Sequence, residues 1–321
     1  MNDGRPQERL FRGGGGTYDD SVPLPEPPPW RRPRQEGEAQ RPRPYLIGDT
    51  EVEVVNAALR LRRPLLVTGA PGTGKSSLAH AVAAELGLGP VLVWPVNTRA
   101  TLTDALYRYD AIGRLREQRD GKDDIGSFVR LGPLGTALAT RNNGRPRLLL
   151  IDELDKSDLD LPNDLLFVLE EGEFTIPELA RLPDEQAEVA VNVQGSQEKV
   201  RVRQGTVRCQ DFPFVVITSN GEREFPAAFL RRCIRLELPE PAADQLEGIV
   251  RAHFAHDLPQ LETQWPRVQE LIQTFTDRRS LGGLATDQLL HAIHLLRQGV
   301  HPEVEHLREA VLRELRSSGV R

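Results

Sequence analysis

Gly69, Ala70, Pro71, Gly72, Thr73, Gly74, Lys75 and Ser76 together match the pattern GxxxxGK[ST] at every fixed position. Glycines at these points let the backbone turn tightly and aim successive N–H groups at phosphate oxygens. A helix opening around Ser77 adds the positive end of its dipole. Lys75 would then reach the β- and γ-phosphates of ATP, and the Ser76 hydroxyl would ligate Mg2+. The competing explanation is a chance glycine-rich turn, and the flanking pattern of a buried strand before and a helix after argues against it.

A second group with chemical capacity is the apolar run 148–151 followed by Asp152 and Glu153. A buried strand there delivers Asp152 to the sheet edge, where a carboxylate holds Mg2+, and sets Glu153 one residue beyond, where it can orient and deprotonate water. Acidic residues often follow strands, so this signal is weak alone and strong beside the phosphate loop. A small-molecule kinase would use its second carboxylate on a substrate hydroxyl, so phosphotransfer stays open. The run 214–218 ends at Ser219 and Asn220. An amide there can hydrogen-bond a γ-phosphate or an attacking water, although an Asn in a turn after a strand is the ordinary explanation. Arg231 and Arg232 follow shortly before the last strand. Adjacent arginines are usually solvated, but in a ring this position faces the neighbouring subunit and its transition-state charge.

These groups need elements to hold them. Apolar residues at 52, 55, 58, 59 and 61 recur at helical spacing, and Pro64 closes that helix before the apolar strand 65–68. A helix over 77–86 and strands at 91–96, 148–151, 214–218 and 234–238 follow. Alternation of this kind predicts an α/β sandwich, a parallel sheet with helices on both faces. After Pro239-Glu240-Pro241 only helical periodicity remains. The chain therefore divides into a Pro-, Arg- and Gly-rich tail (1–43), a core (44–239) and a small helical lid (240–321). The tail has too few apolar residues to offset its ordering entropy and reads as solvated. Inserted segments fall at 100–130 and 186–207, the latter alternating valines from Val189 to Val207 as a β-hairpin.

Composition narrows the class. Acidic residues number 47 against 41 basic ones, a net charge of −6, which argues against a whole-surface attraction to nucleic acid and for a protein partner. Cys209 and Cys233 have no metal-ligand or disulfide-framework spacing, which suits a reducing compartment. No apolar run reaches the ~20 residues of a membrane span, and the N-terminus lacks the apolar core of a signal peptide, so a cytoplasmic protein is expected. His253 with His256, and His291 with His294, share helix faces at i, i+3 but lack further ligands. They read as lid histidines, as Leu289, Ile293 and Leu296 read as core.

Taken in order, GAPGTGKS, LLLIDE, TSN and FLRRC resemble AAA+ ATPases, and in detail the MoxR group, over residues 45–321. The resemblance implies an AAA+ αβα core with a helical lid, a homo-oligomeric ring that is a hexamer, and ATP-driven remodelling or activation of partner proteins. A partner with a von Willebrand factor A domain is part of that picture. The helix before the phosphate loop would help enclose the adenine, and 106–134 would be the group's insertion. By position the resemblance gives phosphate and metal roles to Lys75, Ser76 and Asp152, the water role to Glu153 and the sensor role to Asn220. Asn97 would turn Glu153 aside in the absence of ligand, and Arg232, ahead of Arg231, would be the trans-acting finger. Two departures stand out. Gln288 occupies the place of the lid arginine, with Arg278 or Arg279 as substitutes from the preceding loop, and Lys156 stands where an arginine is common. Both bear on coupling between subunits, and they keep a second expectation open, a nucleotide-dependent switch or scaffold with little turnover.

Overall fold

The computed structural model describes residues 25–28, 31, 45–118, 124–255, 258–282 and 284–300. Most of the tail, residues 119–123 of the first insertion, His256 and the lid's last stretch, 301–321, lie outside the described residues. One compact unit ends at Glu240 and another begins at Pro241.

The first unit is built on five parallel strands in the order Ile234–Glu237, Leu65–Thr68, Phe214–Ser219, Leu148–Asp152, Leu92–Pro95. The three inner strands are nearly unbroken apolar runs because both faces of the sheet are covered there, whereas the edge strand Ile234–Glu237 alternates, with Arg235 and Glu237 exposed. Leu148 and Leu150 point into one core with Val55, Ala58, Leu78, Val82 and Val216. Leu149 and Ile151 point into the other, with Leu134, Leu165, Val168, Ile217 and Phe229. These four side chains of the Leu148–Asp152 strand are at most 1% exposed, and each such burial contributes about 1.5–3 kcal/mol. The strand that carries the acidic pair is thus fixed from both sides.

Local sequence explains the boundaries. The helix Asp49–Leu61 stops at Arg62, whose left-handed φ of 54° turns its N–H back to the carbonyls of Ala58 and Leu59. Pro64 then precedes the Leu65–Thr68 strand. The next helix runs Lys75–Glu85 rather than 77–86, because Gly74 at φ 89° is its cap and Lys75 already has helical geometry. The expected strands 91–96, 148–151, 214–218 and 234–238 are observed at Leu92–Pro95, Leu148–Asp152, Phe214–Ser219 and Ile234–Glu237.

A six-stranded sheet joins segments far apart in sequence: Tyr107–Tyr109, Val129–Leu131, Glu188–Asn192, Lys199–Arg203, Thr206–Arg208 and Glu173–Thr175, in that spatial order. The hairpin expected over 189–207 is present as the antiparallel pair Glu188–Asn192 and Lys199–Arg203. It is not an isolated ornament, because Asn192 sits opposite Arg130 in parallel pairing, so the two insertions share one sheet. Its buried face supplies Val191, Val202, Val207 and Phe174 to the same core that holds Leu149 and Ile151.

The second unit contains the helices Ala243–His253, Leu258–Glu262, Trp265–Gly282 and Thr286–Arg297. Leu246, Val250, Phe275, Leu289, Ile293 and Leu296 form its core, so the stripe at 289, 293 and 296 packs inward. Arg278 and Arg279 lie in the last turns of the Trp265–Gly282 helix, not in a loop as the sequence suggested. The helical period simply continues through them. No helix among the described residues is long and apolar enough to cross a membrane.

Candidate functional site

The phosphate loop takes its shape from glycines in conformations other residues resist. Gly69, Gly72 and Gly74 have φ of 147°, 79° and 89°. A Cβ on Gly69 would lie 2.6 Å from the carbonyl oxygen of Leu238, and one on Gly74 would lie 2.9 Å from the Tyr45 ring. The Thr73 hydroxyl donates to the carbonyl of Ala70 at 2.9 Å, closing the turn on itself. Pro71 and Gly72 form its exposed tip, while Ser77 is half-buried in the first turn of the helix behind it.

Lys75 is 7% exposed, and its ammonium folds back to donate to the carbonyls of Gly69 and Ala70 at 2.8 and 2.9 Å. Desolvation lowers its pKa, and the charges of Asp155, Asp152 and Glu153 oppose that shift. A buried ammonium satisfied only by loop carbonyls fits a polyphosphate, whose oxygens would replace those carbonyls as acceptors. Tyr45 packs against the same loop, and burial pushes its phenol pKa up, so it presents a neutral ring.

Across from the loop, Asp152 Oδ1 accepts hydrogen bonds from Ser76 Oγ and Thr218 Oγ1, each at 2.7 Å. Thr218 Oγ1 in turn accepts the backbone N–H of Glu153 at 2.8 Å. Three strand and loop ends therefore converge on one carboxylate. A hydroxyl and a carboxylate oxygen side by side are hard ligands suited to Mg2+. Glu153 has a φ of 60°, which swings its side chain off the strand line. Its Oε2 pairs with Lys156 Nζ at 2.7 Å, and its Oε1 accepts from Asn220 Nδ2 at 3.3 Å. Behind them Asp155, 4% exposed, accepts the backbone N–H groups of Asn220 and Glu222 at 2.9 and 3.0 Å.

The structure thus brings Lys75, Ser76, Asp152, Glu153 and Asn220 together. Other residues singled out in the sequence are not brought to that cluster. Asn97 Oδ1 accepts the N–H of Arg99 at 2.8 Å, while Glu153 is engaged by Lys156 and Asn220. Arg232 pairs through Nε with Glu170 at 2.9 Å and donates from Nη1 to the Ala228 carbonyl at 3.2 Å. It lines a cavity of about 200 Å³ with Arg63, Leu166, Phe229 and Cys233. Arg231 is exposed, and its carbonyl accepts from Arg63 at 3.0 Å. Gln288 Oε1 accepts the Ala285 N–H at 2.8 Å, closing the start of its own helix. Arg279 donates to the Pro241 carbonyl at 2.5 Å and lies 5.4 Å from the Phe275 ring centroid. Among the described residues no group of three or more side chains could hold a metal through His, Cys, Asp and Glu alone.

Sequence reasoning missed Tyr45, Asp155 and Thr218 as members of the site. Thr218 carried a signal, a hydroxyl near the end of an otherwise apolar run. Asp155 carried none that separates it from its acidic neighbours Asp152, Glu153 and Asp158.

Comparison with known proteins bears on this constellation. Residues 64–233 match the family model described as AAA domain (dynein-related subfamily), which is more than half of the 321-residue chain. The curated proteins yield no match. Among solved structures, a Cytophaga hutchinsonii protein described as a candidate ATPase is similar at 14% identity and a TM-score of 0.39, over 63% of this chain and 48% of that one. NtrX of Brucella abortus, solved with ADP, is similar at 14% identity and a TM-score of 0.42, over 80% of this chain and 51% of that one. The chain thus matches about half the length of each of these structures. With the loop, the acidic strand and the five-strand order all in one unit, the family match leaves a plain conclusion: this chain belongs to the AAA domain family, in its dynein-related subfamily.

Proposed function

We propose that the protein binds and hydrolyses ATP as a MoxR-like AAA+ ATPase, and uses the cycle to remodel or activate a partner protein. The observation that carries the reading is the 2.7 Å contact of Ser76 Oγ with Asp152 Oδ1, with Glu153 one residue beyond. Loop N–H groups and Lys75 would hold the polyphosphate, Lys75 leaving the Gly69 and Ala70 carbonyls to do so. Ser76 and Asp152 would hold Mg2+, which when bound supplies charge neutralisation at the β- and γ-phosphates. Glu153 would accept a proton from water as the water oxygen bonds to the γ-phosphorus and the bridging oxygen leaves with ADP. Asn220 would orient that water.

In this reading the subunits form a homo-oligomeric ring, a hexamer by resemblance, in a cytoplasmic setting. The Arg231–Arg232 pair would serve the neighbouring subunit's nucleotide. The resemblance favours Arg232; its ion pair with Glu170 would then have to open, whereas the exposed Arg231 has no side-chain partner among the described residues. The substrate would be a protein, and one bearing a von Willebrand factor A domain is the candidate the resemblance suggests. One observation favours a slower, switch-like variant of the same reading: both oxygens of Glu153 are engaged within the subunit. Phosphate release from Mg-ATP, followed while the protein is sized with and without ATP, tests the proposal. Turnover that rises with assembly supports the motor; ATP-dependent assembly with phosphate release at background supports the switch.

A further inference from the structure

Asp155 is a carboxylate that the roles above do not use, yet its surroundings are specific. It is 4% exposed, and one oxygen, Oδ2, receives two backbone N–H groups of the loop after the Phe214–Ser219 strand: Asn220 at 2.9 Å and Glu222 at 3.0 Å. Its other oxygen is buried without a hydrogen-bond partner among the described residues. Burying a carboxylate costs free energy that only its hydrogen bonds offset, and here the two N–H groups on Oδ2 supply that offset. Those bonds run between the two strand ends whose side chains meet at Glu153. One residue after Asp155 stands Lys156, which pairs with Glu153 Oε2, and the residue whose N–H Asp155 accepts is Asn220, which donates to Glu153 Oε1.

The same loop is anchored a second time, on the far side of Glu222. Arg223 Nη1 donates to the Ser157 carbonyl at 2.6 Å. The turn 154–157 and the loop 220–223 are therefore stitched by Asp155 from one chain segment and by Arg223 from the other. Of the two, only Asp155 bonds the backbone of Asn220 itself.

We infer that Asp155 is a positioning residue: by holding the backbone N–H groups of Asn220 and Glu222, it fixes the Asn220 amide against Glu153. This rests on the proposal that Glu153 and Asn220 handle the attacking water. Without the clamp the Asn220 amide loses its register with Glu153, while the phosphate loop, which Asp155 does not bond, keeps its shape. Misplacement by about 1 Å at a reacting centre can cost about 100-fold in rate.

The test is steady-state kinetics with amide hydrogen exchange on Asp155→Ala, Asp155→Asn, Asn220→Ala and the double variant Asp155→Ala/Asn220→Ala. Asp155→Ala should lower kcat about 10- to 100-fold with KM within about threefold. Asp155→Asn keeps an oxygen acceptor for both N–H groups and should recover most of that loss, even if the alanine variant folds poorly. If the clamp acts through Asn220, the double variant should be no slower than Asn220→Ala. In Asp155→Ala, amides at 220 and 222 should exchange faster while those of the Leu65–Thr68 strand stay protected. Losses that multiply in the double variant, or a KM that rises as kcat falls, overturn the inference. Unchanged exchange at 220 and 222 overturns it whatever the turnover. Background turnover in the wild-type protein instead sinks the hydrolysis proposal, and the exchange data still decide whether Asp155 holds the loop.

Discussion

Lys156 Nζ sits 2.7 Å from Glu153 Oε2 while Asn220 Nδ2 holds the other oxygen at 3.3 Å. The carboxylate proposed to activate water is thus engaged at both oxygens within the subunit, and its ion pair is 40% exposed on both sides. An exposed pair of this kind contributes about 0.2–1 kcal/mol. Releasing it should therefore raise basal phosphate release, by up to about fivefold. Lys156→Met should show that increase and Lys156→Arg should not. A slower Lys156→Met enzyme with intact ATP binding would mean that the lysine assists the reaction.

Gly69→Ala should damage both binding and folding. The added Cβ would meet the Leu238 carbonyl at 2.6 Å in a backbone conformation, φ 147°, that alanine resists. Strain of this type costs about 1–3 kcal/mol. Nucleotide titration and urea unfolding should show weaker binding and a lower midpoint. Wild-type values in both would show that the loop has room the structure does not reveal.

The segment that carries Arg231 and Arg232 allows a separation of stability from turnover. Arg232 and Glu170 are 41% and 49% exposed in their 2.9 Å pair, so Arg232→Ala should cost no more than about 1 kcal/mol of stability. If Arg232 acts in trans as proposed, its removal should nevertheless lower turnover on the order of a thousandfold. The double variant Arg231→Ala/Arg232→Ala, mixed with Glu153→Gln, should regain activity at interfaces where intact Glu153 faces intact arginines. Mixed rings that form and stay inactive would falsify action in trans. Comparing the two single variants then tells which arginine acts.

Cys233 is buried beside Arg232, and desolvation raises its thiol pKa from 9.0 to about 12, with Arg63 opposing the shift. The folded state therefore holds this proton more tightly than the unfolded chain does. Stability from this group is full below the ordinary thiol pKa of 9.0 and is lost as pH rises through the folded value of about 12. Alkylation with iodoacetamide at neutral pH should modify Cys209, which is half-buried, ahead of Cys233. In Cys233→Ala the alkaline fall in stability should be shallower across that window. Rapid labelling of Cys233 in the folded protein would contradict its burial.

Much of the fold was legible because the buried strands are long apolar runs. Leu65–Thr68 and Phe214–Ser219 announce themselves, and GAPGTGKS fixes what lies between the first strand and its helix. The six-stranded sheet was not legible: Tyr107–Tyr109, Val129–Leu131 and Glu173–Thr175 are three residues each, too short for a period of two to declare itself. At the site, residue type pointed to Lys75, Asp152 and Glu153. Neighbours that act through backbone bonds, such as Asp155, or through a shared hydroxyl, such as Thr218, depend on tertiary proximity that no local pattern records. Lys156 was visible, but its pairing with Glu153 was not, because the turn that brings it round begins at the left-handed φ of Glu153 itself.

The most direct measurement of the central claim is phosphate release by Glu153→Gln beside ATP binding by the same protein. Glutamine keeps the shape and can still accept from Asn220, but it cannot take a proton from water at neutral pH. Binding at wild-type affinity with phosphate release at background is the predicted result. Turnover within about threefold of a hydrolysing wild-type protein, where loss of a general base typically costs about 100-fold or more, would contradict it.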